Sequence, residues 1–286
     1  EVNLEGFVEP KFEYVYDGLN RITRSNHYLC SSPLQVRYSY LAGNNSSTTG
    51  LISSIQYFDM GSDYMPELSY TYDNKGNILT VSKSGITHIT YTYDELDRLV
   101  REDNKDLDKT ILYTYDNRGN ILNKKIYAYT TGTLGTATDT ITYSYDSVWK
   151  DKLTSYDGES ISYDSIGNPT VYRGSTLTWQ KGRQLASINT GTAVLNFKYN
   201  IDGLRTEKKV GSKTYSYIWS SGLLMQQSDG TNTLKFSYSP DGRPLGVIFN
   251  GTSYYYSYNL QGDVIGIYNH VGAVVVKYTY DSWGKL

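Results

Sequence analysis

The sequence has little cysteine, no long apolar run and no surplus of either charge. Its single cysteine, Cys30, excludes an internal disulfide. The longest apolar stretch, residues 271–276, is far shorter than the ~20 residues that a membrane-spanning helix needs. The 27 basic and 29 acidic residues give a net charge of −2 and form no basic stripe. Because nothing would neutralise a phosphate backbone, we do not expect nucleic-acid binding.

Helical periodicity and the usual catalytic motifs are also absent. Amphipathic stretches are interrupted before three helical turns are complete. His27, His88 and His270 are scattered, without a cysteine or carboxylate at metal-ligand spacing. Ser147 and Lys150 match a Ser-x-x-Lys string, but its partner motifs are missing. We therefore predict no catalytic residue, no cofactor and no metal site, and a chain that is not itself an enzyme.

One segment resembles the start of a calcium-binding loop. Asn104, Asp106 and Asp108 alternate along the chain as oxygen ligands do in such loops. However, Lys109 occupies the position that requires glycine, and Tyr115 occupies the position of the closing glutamate. A solvated turn is the favoured interpretation.

Tyrosine and glycine are abundant, with 31 and 26 residues, and they occur in a repeated unit. So many tyrosines favour a thin sheet with two partly wet faces, because each ring can pack on its neighbours while its hydroxyl reaches water. One copy reads Tyr70-Thr71-Tyr72-Asp73-Asn74-Lys75-Gly76-Asn77. Nine copies share an aspartate-like residue followed three residues later by Gly, Asn or Asp. The aspartate-like positions are Asp17, Asp73, Asp94, Asp116, Asp164, Asn200, Ser239, Asn259 and Asp281. The positions three residues later are Asn20, Gly76, Asp97, Gly119, Gly167, Gly203, Gly242, Gly262 and Gly284.

The chemistry of this unit predicts a strand, a tight turn and a second strand. The two tyrosines share one face of an extended chain, because side chains alternate between the faces. The aspartate side chain can accept hydrogen bonds from backbone two residues on and so begin a turn. Gly, Asn and Asp tolerate a positive φ best, which is what a type I turn closed by a left-handed residue and a bulge needs.

Three weaker copies depart from the pattern. Trp149 stands where the glycine is expected, so that its loop must close differently. The copies around Trp179 and Trp219 lose the aspartate but keep Gly182 and Gly222. Because the regular copies explain how a wall is built, an individual function is expected at these departures.

The repeat spacing of about 20 residues predicts an all-β array. We expect about a dozen consecutive hairpins in one continuous, curved, spiralling antiparallel sheet, stabilised by stacking of neighbours. Residues 1–286 would form a single array, with residues 1–11 as a flanking linker.

The Tyr-x-Tyr-Asp-x-x-Gly-Asn unit resembles the RHS, or YD-repeat, family of large exported bacterial proteins, which has distant relatives among the teneurins. The resemblance covers residues 12–286, and residues 254–286 resemble the start of the RHS-associated core. It implies a β-shell that encloses or presents a C-terminal toxin or effector, in a protein that is secreted or at the bacterial cell surface. The partners it implies are flanking repeats and an effector beyond residue 286. The family's self-cleaving aspartates have no counterpart here, so no catalytic residue is transferred.

Two other functions remain open from the residues alone. Rows of exposed tyrosines between Asp, Asn and Thr suit a cell-surface binding module for cell-wall glycan or a partner protein. A glycosidase would need two carboxylates about 5–10 Å apart in one cleft. No such pair stands out in a repeat in which every aspartate has the same place.

Overall fold

The structure is a computed structural model that describes residues 11–28, 34–45, 47–58 and 67–286. The predicted linker up to residue 10 and Cys30 lie outside the described residues. Within the described ranges the regular elements are all β-strands.

The described strands number 26. The first thirteen are β1 Lys11–Tyr16, β2 Ile22–Tyr28, β3 Leu34–Ala42, β4 Thr48–Phe58, β5 Leu68–Tyr72, β6 Ile78–Lys83, β7 Ile86–Tyr93, β8 Leu99–Asn104, β9 Lys109–Tyr115, β10 Ile121–Ala128, β11 Asp139–Tyr145, β12 Leu153–Tyr156 and β13 Glu159–Ser160. The others are β14 Ser162–Tyr163, β15 Pro169–Tyr172, β16 Ser175–Gln180, β17 Gln184–Asn189, β18 Val194–Tyr199, β19 Arg205–Val210, β20 Lys213–Ser220, β21 Leu223–Ser228, β22 Thr233–Tyr238, β23 Pro244–Phe249, β24 Thr252–Tyr258, β25 Val264–Asn269 and β26 Val274–Lys277.

The strands follow one another in sequence order within two sheets, β1 to β13 and β14 to β26. Neighbouring strands pair antiparallel, as in the hairpin β5–β6. The predicted all-β fold of consecutive antiparallel hairpins is confirmed. The expected single sheet is interrupted at Ile161, which lies between two strands of two residues each and has a buried side chain.

The register shifts by one residue beside several of the Tyr-Asp turns. In β5–β6, Thr71 faces Thr80 but Tyr72 faces Ile78, so that one residue of β6 has no direct partner. The same shift occurs at Tyr93, Tyr199 and Tyr258 in their hairpins. This is the bulge that accompanies a left-handed turn residue, and it increases the local twist of the strand pair.

Two compact units can be distinguished along the chain. Unit 1 comprises residues 1–110, 129–131 and 234–286, and unit 2 comprises residues 111–128 and 132–233. Unit 1 has a continuous apolar core to which strands from both ends of the sequence contribute. Its buried members are Leu34, Val36, Ile55, Tyr57, Leu68, Tyr70, Val81, Tyr91, Tyr255 and Tyr268.

The first tyrosine of several Tyr-x-Tyr pairs is buried, although both tyrosines of a pair share one face of the strand. Tyr70 and Tyr91 are 3% and 8% exposed in unit 1, and Tyr113 is 2% exposed in unit 2. Each is the first tyrosine of a Tyr-x-Tyr pair, and the threonine that follows points to the other face. The wet tyrosine face expected from composition is therefore wrong for these residues.

A substitution at Gly119 tests the turn geometry. Gly119 has φ +90°, and no atom lies within 4 Å of the place where a Cβ would stand. Gly119→Val is expected to cost about 1–3 kcal/mol through backbone strain alone. Lys125→Val, at an exposed strand position nearby, should cost much less. The free energies of unfolding in urea measure both, and equal losses would contradict the strain account.

Candidate functional site

The Tyr-Asp turn has one repeated hydrogen-bond pattern, which Asp116 illustrates. Its Oδ1 accepts hydrogen bonds from the backbone N–H groups of Arg118, at 2.8 Å, and Asn120, at 2.9 Å. The N–H of Gly119 donates to the carbonyl of Asp116, and the N–H of Asp116 donates to the carbonyl of Asn120. A single side chain thus accepts from two backbone N–H groups that the tight turn leaves without strand partners.

The other predicted turns use the same geometry. Asp73, Asp94, Asp164 and Asp281 each accept from the backbone two and four residues later, and Asn200 does so through its amide oxygen. Asn259 accepts from the N–H of Asp263. Positive φ occurs at every predicted closing residue: Asn20, Gly76, Asp97, Gly119, Gly167, Gly203, Gly242, Gly262 and Gly284.

The residue after the closing position completes the turn, a role that the sequence interpretation left unexplained. Asn120 Nδ2 donates to Asp116 Oδ2 at 2.8 Å. This hydrogen bond is the largest contribution that lowers the pKa of Asp116. Asn77 makes the same bond to Asp73 and also reaches Asp97 of the following turn, at 3.2 Å. The aspartates are therefore occupied as hydrogen-bond acceptors within the wall.

The second tyrosine of most units connects successive hairpins. The hydroxyl of Tyr93 donates to the carbonyl of Ile78, where the preceding hairpin leaves its turn, at 2.9 Å. In unit 2, Tyr199 donates in the same way to the carbonyl of Leu185, at 2.8 Å. These tyrosines are half-buried. Their hydroxyls, expected to reach water, instead extend the pairing between hairpins by a side-chain hydrogen bond.

The tryptophans at two weak copies fill this same position. Trp179 Nε1 donates to the carbonyl of Pro169 at 2.7 Å, and Trp219 Nε1 donates to the carbonyl of Arg205 at 2.8 Å. Tyrosine and tryptophan are the aromatic residues that combine a large ring with a neutral N–H or O–H donor. Trp179 and Trp219 are therefore variants of the wall rather than departures from it. Trp149 differs, because its side chain is 58% exposed.

Buried tyrosine hydroxyls join strands of unit 1 that are distant in sequence. Tyr57 Oη, on β4, accepts from the N–H of Tyr258 at 2.7 Å and donates to the carbonyl of Tyr258 at 2.8 Å. Tyr70 Oη accepts from the N–H of Leu260 at 3.1 Å. Burial raises the pKa of Tyr57 well above its usual value and raises that of Tyr70 to about 12. Both hydroxyls therefore stay protonated and can hold these bonds across the physiological pH range.

The buried carboxyl group of Glu102 adds a further contact between these distant parts of unit 1. We call the whole set of contacts the seam. It joins Tyr57, Tyr70, Glu102 and Asn104 to residues 258–260 and 280–282. Glu102 is 0% exposed, and its Oε2 accepts from the N–H of Ser282 at 3.0 Å and from Ser282 Oγ at 2.7 Å. Asn104 Nδ2 donates to Glu102 Oε1 and to the carbonyl of Tyr280.

The seam was not predicted, and it corrects the interpretation of the calcium-like segment. Asn104 is 0% exposed rather than solvated, because residues 280–282 cover it. The carboxyl group of Asp106 contacts Lys83 Nζ at 2.5 Å and His88 Nδ1 at 2.6 Å. The sequence signal available was a run of charged and amide residues, 102–104, inside a strand. It indicates a buried polar contact but does not identify the partner.

The titratable side chains of the described residues form no evident catalytic or metal site. Among the described residues, no three His, Cys, Asp or Glu side chains are grouped so that they could hold a metal ion. His27 is shielded from water, which lowers its pKa to about 4 and keeps it neutral. The part of the chain that the structure describes includes no helix with the length and hydropathy that a membrane crossing requires.

Comparison with known proteins gives matches in both sequence and fold. No family model matches the chain. Over 141 residues it is 33% identical to the tRNA3(Ser)-specific nuclease WapA of Bacillus spizizenii and 32% identical to the tRNA nuclease WapA of Bacillus subtilis. Each match covers 47% of this chain and 6% of the relative, so that the chain represents a small part of those proteins.

Solved structures match over nearly the whole chain. The crystal structure of TcdB2-TccC3-TEV gives a TM-score of 0.70 at 15% identity, over 97% of this chain and 16% of that chain. The Photorhabdus luminescens Tc holotoxin pore gives a TM-score of 0.64 at 14% identity, over 96% of this chain and 17% of that chain. At these identities the likeness concerns the fold.

Removal of one tyrosine hydroxyl tests the contact between hairpins. Tyr93→Phe keeps the ring but leaves the carbonyl of Ile78 without its donor, and we expect a loss of about 1 kcal/mol in the free energy of unfolding. Tyr93→Trp restores a donor and should lose less. Tyr16→Phe, at a residue that is 50% exposed, is the control. If Tyr93→Phe and Tyr16→Phe have the same urea midpoint, the hydroxyl does not stabilise the sheet.

The ionisation of Asp116 tests the turn hydrogen bonds. Because its pKa is lowered in the folded chain, its contribution to stability is present at neutral pH and is lost as the pH falls through the folded pKa. Asn120→Ala removes the Asn120 amide donor, so the pKa of Asp116 should rise toward its ordinary value. Carboxyl-carbon NMR titration from about pH 6 to about pH 2 measures it. Asn168→Ala, at the equivalent place of another turn, should leave the pKa of Asp116 unchanged. A shift of the Asp116 pKa in Asn168→Ala would show that the turn hydrogen bond is not its local cause.

Proposed function

We propose that this chain, which has the fold of the RHS β-shell of Tc toxin and is partly homologous to the YD-repeat protein WapA, is a segment of a shell that encloses or presents a C-terminal effector. The segment itself is non-enzymatic and acts in a protein that is secreted or at the bacterial cell surface. The partners are flanking repeats and an effector encoded after residue 286. Residues 254–286 would begin the core that closes the repeat region.

The seam is the observation that carries this proposal. A wall that only had to extend from hairpin to hairpin would need contacts between sequence neighbours. In unit 1, however, β4, β5 and β8 form buried or partly buried hydrogen bonds with residues 258–260 and 280–282. These hydrogen bonds join residues that are between 176 and 201 positions apart in the sequence, so they hold the later hairpins against the earlier ones. Such a fastening is what a container requires, since an open ribbon would release its contents.

The repeat chemistry supports the same role. The turn aspartates accept bonds from their own turns, and the second tyrosines donate to backbone carbonyls of the preceding hairpin. Side chains that would otherwise be available for catalysis or recognition are thus used to build the wall. The alternative of a glycan-binding face made of tyrosine rows is weakened for the same reason, because Tyr70, Tyr91 and Tyr113 are buried.

Protease protection in the full-length parent protein tests the container role. Glu102→Ala leaves the N–H and hydroxyl of Ser282 without their acceptor, which costs about 1–3 kcal/mol. When opening is fast, cleavage follows the population of the open form, so the effector should be cut about 5- to 150-fold faster. Glu159→Ala, at an exposed position, is the matched control.

Two results would contradict the proposal. One is equal cleavage of the segment after residue 286 in the parent protein, the Glu102→Ala variant and the control. The other is a gene that ends soon after residue 286 and therefore encodes no effector. The melting temperature of each variant is the control for global unfolding. It separates local opening of the seam from loss of the whole structure.

A further inference from the structure

The hairpin between β23 and β24 ends in a loop of unusual sequence. Phe249 pairs with Thr252, so that Asn250 and Gly251 alone form the loop. Their φ angles are +47° and +87°, and a positive φ at both positions is characteristic of a type I′ turn. Asn250 is also the only asparagine of the sequence that is followed by glycine. A side-chain amide thus lies next to a backbone nitrogen that carries no neighbouring side chain.

This loop is open to water. Asn250, Gly251 and Thr252 are all exposed. No atom lies within 4 Å of the place where a Cβ of Gly251 would stand. Gly251 belongs to neither strand, since β23 ends at Phe249 and β24 begins at Thr252. Water therefore has access to both the Asn250 amide and the backbone nitrogen that follows it.

The two groups can react with each other without an enzyme. The Gly251 nitrogen forms a bond to Cγ of Asn250, the bond from Cγ to the side-chain nitrogen breaks, and ammonia leaves with the proton of the Gly251 N–H. The product is a cyclic succinimide. Glycine favours this ring closure, because it has no Cβ to obstruct the approach and its main chain rotates freely.

Water then opens the succinimide in one of two ways. Cleavage of the bond between the Gly251 nitrogen and Cγ gives aspartate at position 250. Cleavage of the bond between that nitrogen and the main-chain carbonyl gives isoaspartate, in which the main chain runs through Cβ and Cγ. One water is consumed and one ammonia is released, so that no oxidant or reductant takes part.

Isoaspartate would change the hairpin, because it adds one carbon atom to the main chain of a loop that holds two residues. Turn type and loop length fix the register of a hairpin. That register matters here, since Val247 and Tyr255 of the two strands are buried. At the far end of β24, Tyr258 accepts the hydroxyl of Tyr57 in the seam. A distorted loop would therefore loosen a hairpin on which the seam depends.

Other two-residue loops of the chain show that the wall does not require asparagine at this place. The residue before glycine also has a positive φ in Ser84-Gly85, Asp157-Gly158, Arg173-Gly174 and Ser221-Gly222. Serine and arginine have no side-chain carbonyl for the glycine nitrogen to attack, and at Asp157 no ammonia can leave. Asn250 alone among them supplies a side-chain amide.

We propose that Asn250-Gly251 is a self-modifying site, at which deamidation produces an isoaspartyl loop and loosens the β23–β24 hairpin as the protein ages. The reaction takes place at the tip of the hairpin whether or not the chain encloses an effector.

Timed incubation of the intact chain, at neutral and at mildly alkaline pH, tests the proposal. Peptide mass spectrometry locates the gain in mass that accompanies exchange of an amide for a carboxyl group. Labelling by an isoaspartyl methyltransferase distinguishes isoaspartate from aspartate. We expect the gain at Asn250 before any other asparagine and faster at the higher pH, because the deprotonated Gly251 nitrogen is the nucleophile. Isoaspartate should be among the products.

Two variants separate the reaction from its effect. Asn250→Ser keeps a residue that has φ +48° and +50° in the equivalent loops at Ser84 and Ser221, and it cannot deamidate. Asn250→Asp adds the charge without the extra main-chain carbon. Backbone amides of β23 and β24 should exchange their hydrogens about tenfold faster in the aged native chain, equivalent to about 1.4 kcal/mol of local stability. Aged Asn250→Ser and fresh Asn250→Asp should keep the slower exchange.

Three results would overturn the proposal. One is a mass gain at Asn250 no faster than at Asn74 and Asn117, which are exposed but are followed by lysine and arginine. Another is isoaspartate at position 250 with unchanged exchange in β23 and β24. The third is equal loosening of this hairpin in aged Asn250→Ser, which would assign the change to a different residue.

Discussion

The structure depends on the closing residue of the Tyr-Asp turn, which must adopt a positive φ while the aspartate accepts two backbone hydrogen bonds. At Gly119 the angle is +90°, and at Asp97 it is +60°. The turn brings with it a one-residue register shift in the following strand. The same local event recurs along the chain at intervals of about 20 residues, so each hairpin begins from the same geometry as the last. Antiparallel order, strand length and twist all follow from it.

The shift in register also explains the aromatic pattern. It places the second tyrosine of a unit beside the preceding hairpin, where a ring with a donor can reach a carbonyl. Tyr93 and Tyr199 supply a hydroxyl, and Trp179 supplies an indole N–H. Tyr91, two residues before Tyr93 on the same strand, is buried instead. A small set of side chains therefore joins neighbours along the sheet and fills the core beneath it.

Much of the fold could be predicted from the sequence because these rules are local. Alternation, turn chemistry and repeat spacing act over fewer than ten residues, and they identify consecutive antiparallel hairpins without any knowledge of distant contacts. The closing residues of the turns have the positive φ values described above. The prediction was wrong where it depended on exposure. The tyrosine faces were expected to be partly wet and Asn104 was expected to be solvated, but Tyr70, Tyr91, Tyr113 and Asn104 are buried by packing that composition does not identify.

The sequence by itself determined the hairpin unit, the order of the strands and the resemblance to the RHS fold, because each rests on chemistry within one turn. Only the tertiary structure decided that Glu102 meets Ser282 and that Tyr57 meets Tyr258. Contacts between residues about 200 positions apart leave no periodic trace in a sequence whose copies look alike. Burial and partner identity arise from how the hairpins pack on one another, and this packing decides where a carboxylate is enclosed and where an indole remains open to solvent.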